Sequence, residues 1–334
     1  MAPGCIDSAA AEQLQNRGFV VLKGLVPKEA CARARALIDR TFGPKGESAE
    51  DYIRAQGESI SHYAESRAPA GDRAFWDSCG PFLQSKNFYH DMRHPIRSGV
   101  AAECIPPSLV AAMQTVLRSS DLKLAQQYWV RTDYRPPPYN DCPGMHSDHA
   151  CLPWQREATP QQTYYLCQLA LNDILQGGAA TMVSPAAFRR AKATAARLQS
   201  EEPDWCAALQ DEEFRTTFTG RTSEQPAKDE LVEVLQEEGD VAIMDPMMMH
   251  AAMPMRHPGQ SRYVAYSTFF DASAAGPVLL PTRGATEPSV KFPPEFIEGL
   301  EAQGLAGLVE WEVPLATDTQ SRRMCAEWGL ASRL

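Results

Sequence analysis

The sequence predicts a mainly β protein with flanking helices, built as an antiparallel barrel or jelly roll, and three observations carry that prediction. Hydrophobic residues make up 44% of the 334 positions, enough for a substantial core. From about residue 122, short runs rich in β-branched and aromatic residues recur between Gly- and Pro-containing turns at near-regular intervals. Segments of helical composition are confined to the two ends and to one stretch between the strands.

In chain order, EQLQNRGF is a short polar helix that stops at Gly18, and the following FVVLKGLV is a continuous apolar run of strand type. Pro27 opens PKEACARARALIDR, where proline in the first turn and the spacing of Ala, Arg and Leu predict a helix to about residue 40. Between 41 and 100 the pattern is irregular and polar with scattered aromatics, which suits loops and short helices over one face of the core. Strands follow at LKLAQQYWVRT, MHSDHACLP, QTYYLCQLALND and AATMVSP, separated by the turns RPPPYNDCPG and QGG. AAFRRAKATAARLQSEE and DELVEVLQEE then interrupt with charged, helical composition. Strand texture returns in GDVAIMDPMMMHAAMPM and SRYVAYSTFFD, and PPEFIEGLEAQGL reads as a late helix. With no internal repeat and no low-complexity linker, one domain over 1–334 is expected. It comprises N-terminal helices and loops over 1–120, jelly-roll strands over 121–184 and 239–271, a helical insertion over 185–238, and a C-terminal extension over 272–334.

The balance of 32 basic against 42 acidic residues, a net charge of -10, argues against nucleic acid or an anionic membrane as the main partner. Nine cysteines with no C-x-x-C, an odd number, fit free buried thiols in a reducing compartment. MAPGCIDSAAAEQLQ lacks the charged start and apolar centre of a secretory signal, and no run approaches the roughly 18 apolar residues of a membrane span. A soluble protein, monomer or homodimer, is expected. Ser332-Arg333-Leu334 is close to the Ser-Lys-Leu address of peroxisomal import, which predicts a peroxisomal location in a eukaryote and a cytoplasmic one otherwise.

The chemistry concentrates in MHSDHACLPW, residues 145–154. Chance alone supplies about 0.4 His-x-Asp pairs in such a chain, so the pair decides little until its geometry is considered. Side chains alternate along a strand, so His146 and Asp148 share a face while His149 points the other way. His250, after the strand DVAIMD, is the best third ligand, and two imidazoles with one carboxylate form the facial set that leaves three positions open on Fe(II). His90 and His94 have helical i, i+4 spacing, but Pro95 follows at once, and structural or substrate-pocket roles suit them better. His257, in the polar turn RHPGQ, is not expected to bind metal. An oxygenase of this kind needs a chelating reductant, commonly 2-oxoglutarate, whose far carboxylate requires a fixed cation. Arg262 shares a strand face with Val264, Tyr266 and Thr268, and is preferred to Arg256 in a loop-like stretch.

Taken together these segments resemble the phytanoyl-CoA dioxygenase family of Fe(II)/2-oxoglutarate-dependent oxygenases. EQLQNRGFVVLKGLVPKEACARARALI is similar to the family's opening helix, strand and helix, HSD to its His-x-Asp, and GGAATMVSPAAFRRA to its turn before a proline-containing segment. EEGDVAIMDPMMMHAA and GQSRYVAYSTFF resemble the part that carries the distal histidine and the arginine. The resemblance implies a double-stranded β-helix (jelly roll, cupin-like) core, iron on His146, Asp148 and His250, 2-oxoglutarate on Arg262, and O2 as the second cosubstrate. It implies oxidation of an unactivated C–H bond with release of succinate and CO2, and Asp148 disfavours halogenation, which in relatives needs a small residue there. Two departures stand out: Ala252 occupies a position where relatives often have a cosubstrate-binding serine, and Ser184-Pro185-Ala186-Ala187 replaces a Pro-Gly-Ser-His turn.

By place in the family pattern, Gln127 and Tyr164 are further candidates to touch the cosubstrate. Gln127 shares strand parity with Trp129 and Arg131, and Arg131 and Trp154 are candidates to face the substrate. A small-molecule tailoring reaction and an acyl-CoA 2-hydroxylation both fit; the latter needs basic groups such as Arg93, Arg97, Arg189, Arg190 and Lys192 for nucleotide phosphates. A zinc hydrolase shares the ligand set but leaves Arg262 without a purpose, and a non-catalytic binding protein has no need of the triad.

Overall fold

The computed structural model describes residues 6, 8–42, 99–134, 164–201, 230–253, 255–273, 292 and 294–310. His90, His94, His146, Asp148, His149, Trp154, Arg93, Arg97 and the tripeptide Ser332-Arg333-Leu334 lie outside the described residues, as does the expected strand MHSDHACLP.

Helix α1 (Ser8–Arg17) ends at Gly18, whose amide donates to the Leu14 carbonyl at 2.8 Å with φ at +77°. That left-handed turn suits glycine, and a Cβ there would meet the Phe188 ring at 2.7 Å, so the chain can pass straight into strand β1 (Phe19–Leu22). Helix α2 (Lys28–Phe42) starts where the Pro27 carbonyl accepts from the Ala30 and Cys31 amides, and it buries Ala30, Cys31, Ala34 and Ile38 along one stripe. Two further helices, α3 (Val100–Glu103) and α4 (Pro107–Leu117), lead into β2 (Leu122–Asp133); α4 has Pro107 in its first turn and closes on Arg118 at φ 52°. Then come β3 (Tyr164–Ala170), β4 (Thr181–Val183), α5 (Pro185–Glu201), β5 (Val232–Val234), β6 (Val241–Met244), β7 (His250–Ala252), β8 (Ser261–Asp271) and α6 (Pro294–Glu301).

The strands form two antiparallel sheets, β1-β6-β3-β8-β2 and β5-β4-β7. One face of the larger sheet packs on α1, α2, α3, α4 and α6 through Trp129, Cys167, Leu169, Ile243, Tyr263, Ala265 and Phe269, all buried with Ile38, Met113 and Phe296. Burying each such large side chain stabilises by roughly 1.5–3 kcal/mol, so this layer anchors the sheet. The opposite face looks toward the smaller sheet: Val130, Ala170 and Val264 pack with Ala180 just before β4. The smaller sheet turns Met182 and Ala251 outward, with Met249, which leaves Thr181, Val183, His250 and Ala252 on its inner side. The protein is thus mainly β, with a double-stranded β-helix core between sheets and helices on one flank.

The run FVVLKGLV, read as strand type, holds β1, an edge strand of the larger sheet paired from Phe19↔Met244 to Leu22↔Val241. One expectation needs correction. In DELVEVLQEE the residues Val232–Val234 are strand β5 and not helix, because the edge of β4 offers them a ladder and Val234 a buried seat. Helical composition in so short a stretch yields to tertiary pairing.

Candidate active site

Arg262 enters the space between the sheets from the start of β8, with its side chain 1% exposed. Its Nη2 donates toward three neutral oxygens: Gln168 Oε1 on β3 at 3.1 Å, Thr181 Oγ1 on β4 at 3.0 Å and the Tyr266 hydroxyl at 2.9 Å. The Thr181 hydroxyl itself donates to Gln168 Oε1 at 2.6 Å, so the two sheets are joined through the group that holds the arginine. The Arg262 Nε–H is buried without an acceptor among the described residues. A buried cation surrounded by neutral acceptors is costly unless an anion joins it, and a carboxylate meets that need. Arg256, by contrast, is exposed in a turn, where its amide donates to the Gly177 carbonyl.

His250 opens β7 opposite Val183, two residue pairs from Thr181↔Ala252 and on the same face. Its Nδ1 lies 3.0 Å from the Met248 carbonyl, which can only accept, so Nδ1 carries a proton and a neutral ring has its lone pair on Nε2. The turn that supplies this carbonyl is organised by Asp245: its Oδ1 accepts from the Met247 amide at 2.9 Å and its carbonyl from the Met248 amide at 2.8 Å. Burial pushes the Asp245 carboxyl above the usual range, while Lys192 Nζ at 3.6 Å and the Met247 amide pull it back. Two residues along a strand span about 7 Å, so the inner faces at His250 and at Thr181 are separated by a small diacid's length. Among the described residues no group of three or more His, Cys, Asp or Glu converges on one point.

Tyr164 is buried and shares β3's inner face with Gln168, four residues away. Gln127 does not share that face. Its Nε2 donates to the Ala101 carbonyl of α3 at 3.1 Å, and its parity mates Trp129 and Arg131 also point into the helical layer. Arg131 pairs there with Asp133 at 3.2 Å and Asp39 at 3.3 Å, which removes it from the substrate side. The shared parity of the three is as expected, but the face is the opposite one. Both faces of β2 are buried, so no polar alternation marks the interior. Gln168, Thr181 and Gln236 were not singled out in the sequence. The available signal was a lone amide inside the apolar strand YYLCQLA, since a buried glutamine requires partners.

The other chemistry-bearing groups have local duties. His257 Nε2 donates to the Gln176 carbonyl at 2.9 Å, and Ser184 caps α5, its Oγ accepting from the Ala187 amide at 3.2 Å. Cys31, Cys104 and Cys167 are buried free thiols; burial pushes Cys31 up to about 12 and raises the other two, which keeps all three protonated. No described helix is long and apolar enough to cross a membrane.

Among curated proteins none matches the sequence significantly. Among solved structures, HygX from Streptomyces hygroscopicus with nickel and 2-oxoglutarate bound is similar at 14% identity and TM-score 0.47, over 81% of this chain and 90% of that one. The epimerase SnoN in complex with Fe3+, alpha ketoglutarate and nogalamycin RO is similar at 16% identity and TM-score 0.48, over 86% of this chain and 94% of that one. The carbocyclase SnoK from nogalamycin biosynthesis is similar at 13% identity and TM-score 0.47, over 81% of this chain and 86% of that one. The family model described as Phytanoyl-CoA dioxygenase (PhyH) matches residues 14–263, well over half of the sequence, from the first helix to the strand that carries Arg262: the chain belongs to the phytanoyl-CoA dioxygenase family.

Proposed function

We propose that this protein is an Fe(II)- and 2-oxoglutarate-dependent dioxygenase that oxidises an unactivated C–H bond of a small-molecule metabolite, releasing succinate and CO2. The observation that carries this reading is Arg262, a buried guanidinium whose acceptors among the described residues are all neutral. It is suited to the distal carboxylate of 2-oxoglutarate, and Thr181, paired with Ala252 across the β4–β7 ladder, offers the hydroxyl that Ala252 lacks. His146, Asp148 and His250 would hold the iron, His250 through Nε2 because Nδ1 is committed to Met248. When bound, the iron with its cosubstrates supplies the oxidising chemistry. The chain's own part is to orient the diacid between Arg262 and the metal, exclude water and aim the substrate carbon, with Tyr164 on the same inner face. Hydroxylation is the simplest outcome, and desaturation or ring closure are alternative outcomes of the same hydrogen removal.

Two of the five basic residues named for nucleotide phosphates favour small-molecule tailoring over acyl-CoA 2-hydroxylation. Arg190 makes two 3.0 Å contacts to Glu230, and Lys192 faces the buried Asp245, so both are engaged with carboxylates instead of awaiting phosphate. The test is anaerobic titration of Fe(II) into metal-free protein with 2-oxoglutarate, followed by succinate release on admitting O2. A visible charge-transfer band that requires both additions supports the reading. Tight zinc binding with hydrolytic activity and no such band would replace it with a hydrolase.

A further inference from the structure

We infer that Gln168 is a positioning residue for the arginine that receives the cosubstrate's distal carboxylate, and that Gln236 determines which end of Gln168 faces it. The inference rests on the reading of Arg262 as the carboxylate site.

An amide side chain has a donor end and an acceptor end of nearly the same shape, so its orientation must be deduced from its partners. Gln236 Nε2 lies 3.0 Å from the Gln168 carbonyl and 3.1 Å from the Asp240 carbonyl. Both are acceptors only, so that end of Gln236 has to be the NH2 group. Its other end, Oε1, is then an acceptor, and it sits 2.6 Å from Gln168 Nε2, which has to donate. Gln168 is left presenting Oε1 to the Arg262 guanidinium and the Thr181 hydroxyl. Gln168, Gln236, Thr181 and Arg262 are all 2% exposed or less, so water does not blur the assignment.

The consequence is electrostatic. Nη2 has two protons for three acceptors, so that nitrogen is committed to the protein, which sets the plane of the guanidinium. Because Gln168 is neutral, it orients the arginine without consuming its charge, and the charge stays available to the diacid. A carboxylate at the same position would take that charge itself.

The experiment compares wild type, Gln168→Glu and Gln168→Met, each loaded anaerobically with Fe(II) and titrated with 2-oxoglutarate and with pyruvate. Pyruvate offers the metal the same keto-acid end but has no distal carboxylate. The expected result is 2-oxoglutarate binding weakened about tenfold or more in Gln168→Glu and severalfold in Gln168→Met, with pyruvate binding within about twofold of wild type in both. Thermal melts of the metal-free proteins report on folding, and if the glutamate variant does not fold, the near-isosteric methionine variant decides. Equal weakening of both keto acids, or unchanged 2-oxoglutarate binding, would overturn the positioning role. Wild type that binds neither keto acid would instead overturn the proposed function.

Discussion

Replacing Arg262 by methionine separates a binding cation from a structural one. In the protein without cosubstrate, the guanidinium is desolvated among neutral oxygens, so its removal sheds a burial cost along with three hydrogen bonds. No acceptor is orphaned, because Gln168 Oε1 keeps the Thr181 hydroxyl at 2.6 Å, and a hydroxyl oxygen that loses one donor still has its own proton to give. The two contributions nearly offset, so the metal-free variant should melt within about 1 kcal/mol of wild type, roughly 2 °C for a chain of this size. Truncating one partner of a buried charged pair costs about 2–5 kcal/mol, so 2-oxoglutarate affinity should fall by about 30-fold to several thousandfold. Added to Fe(II)-loaded protein at about 100 times the wild-type Kd, 2-oxoglutarate should stabilise wild type by about 2.7 kcal/mol and the variant by less than about 1 kcal/mol. Paired thermal melts of the Fe(II)-loaded proteins, with and without 2-oxoglutarate, check this. A metal-free variant destabilised by more than about 3 kcal/mol would show that the charge serves the fold, and a variant retaining the ligand-induced shift would show that the carboxylate binds elsewhere.

Other predictions follow from single residues. His250→Ala should weaken Fe(II) binding by at least on the order of 100-fold, read by competition with a chelating dye, and unchanged affinity would remove His250 from the ligand set. The Asp245 carboxyl, raised by burial, holds its proton to higher pH folded than unfolded, so folding is favoured most below the usual carboxylate range and weakens as pH rises through the raised value. Asp245→Asn should therefore match wild type in acid and equal or exceed it at neutral pH, by on the order of 1 kcal/mol, in melts across pH; a deficit that grows with pH would show that the Lys192 pairing outweighs burial. Gly239 has φ at +91° and a Cβ there would lie 2.3 Å from the Val26 carbonyl oxygen, so Gly239→Ala should cost about 2–4 kcal/mol in denaturant titration. Gly18→Ala should cost less, since side chains and not backbone stand in its way.

The placement of the candidate arginines was legible before the fold. The preference for Arg262 over Arg256 came from strand pattern alone, and the two residues do lie on a buried strand and in an exposed turn respectively. Helices α1 and α2 were readable from Gly18 and Pro27, because the conformations of these residues are restricted or permitted by their own covalent structure. β5 was not readable: its three residues owe their strand conformation to the neighbouring edge of β4.

Which side chains travel together is readable along each strand, since period two is a property of the backbone: Gln127 with Trp129 and Arg131, and Arg262 with Val264, Tyr266 and Thr268. The tertiary structure alone decided which of those sets faces the interior, because β2, β3 and β8 are covered on both sides and carry no polar alternation to mark one. It alone also brought Gln168 and Thr181 to Arg262 from 94 and 81 residues away. Hydrogen bonds between facing sheets depend on how the sheets stack, and that stacking has no periodicity within any one strand.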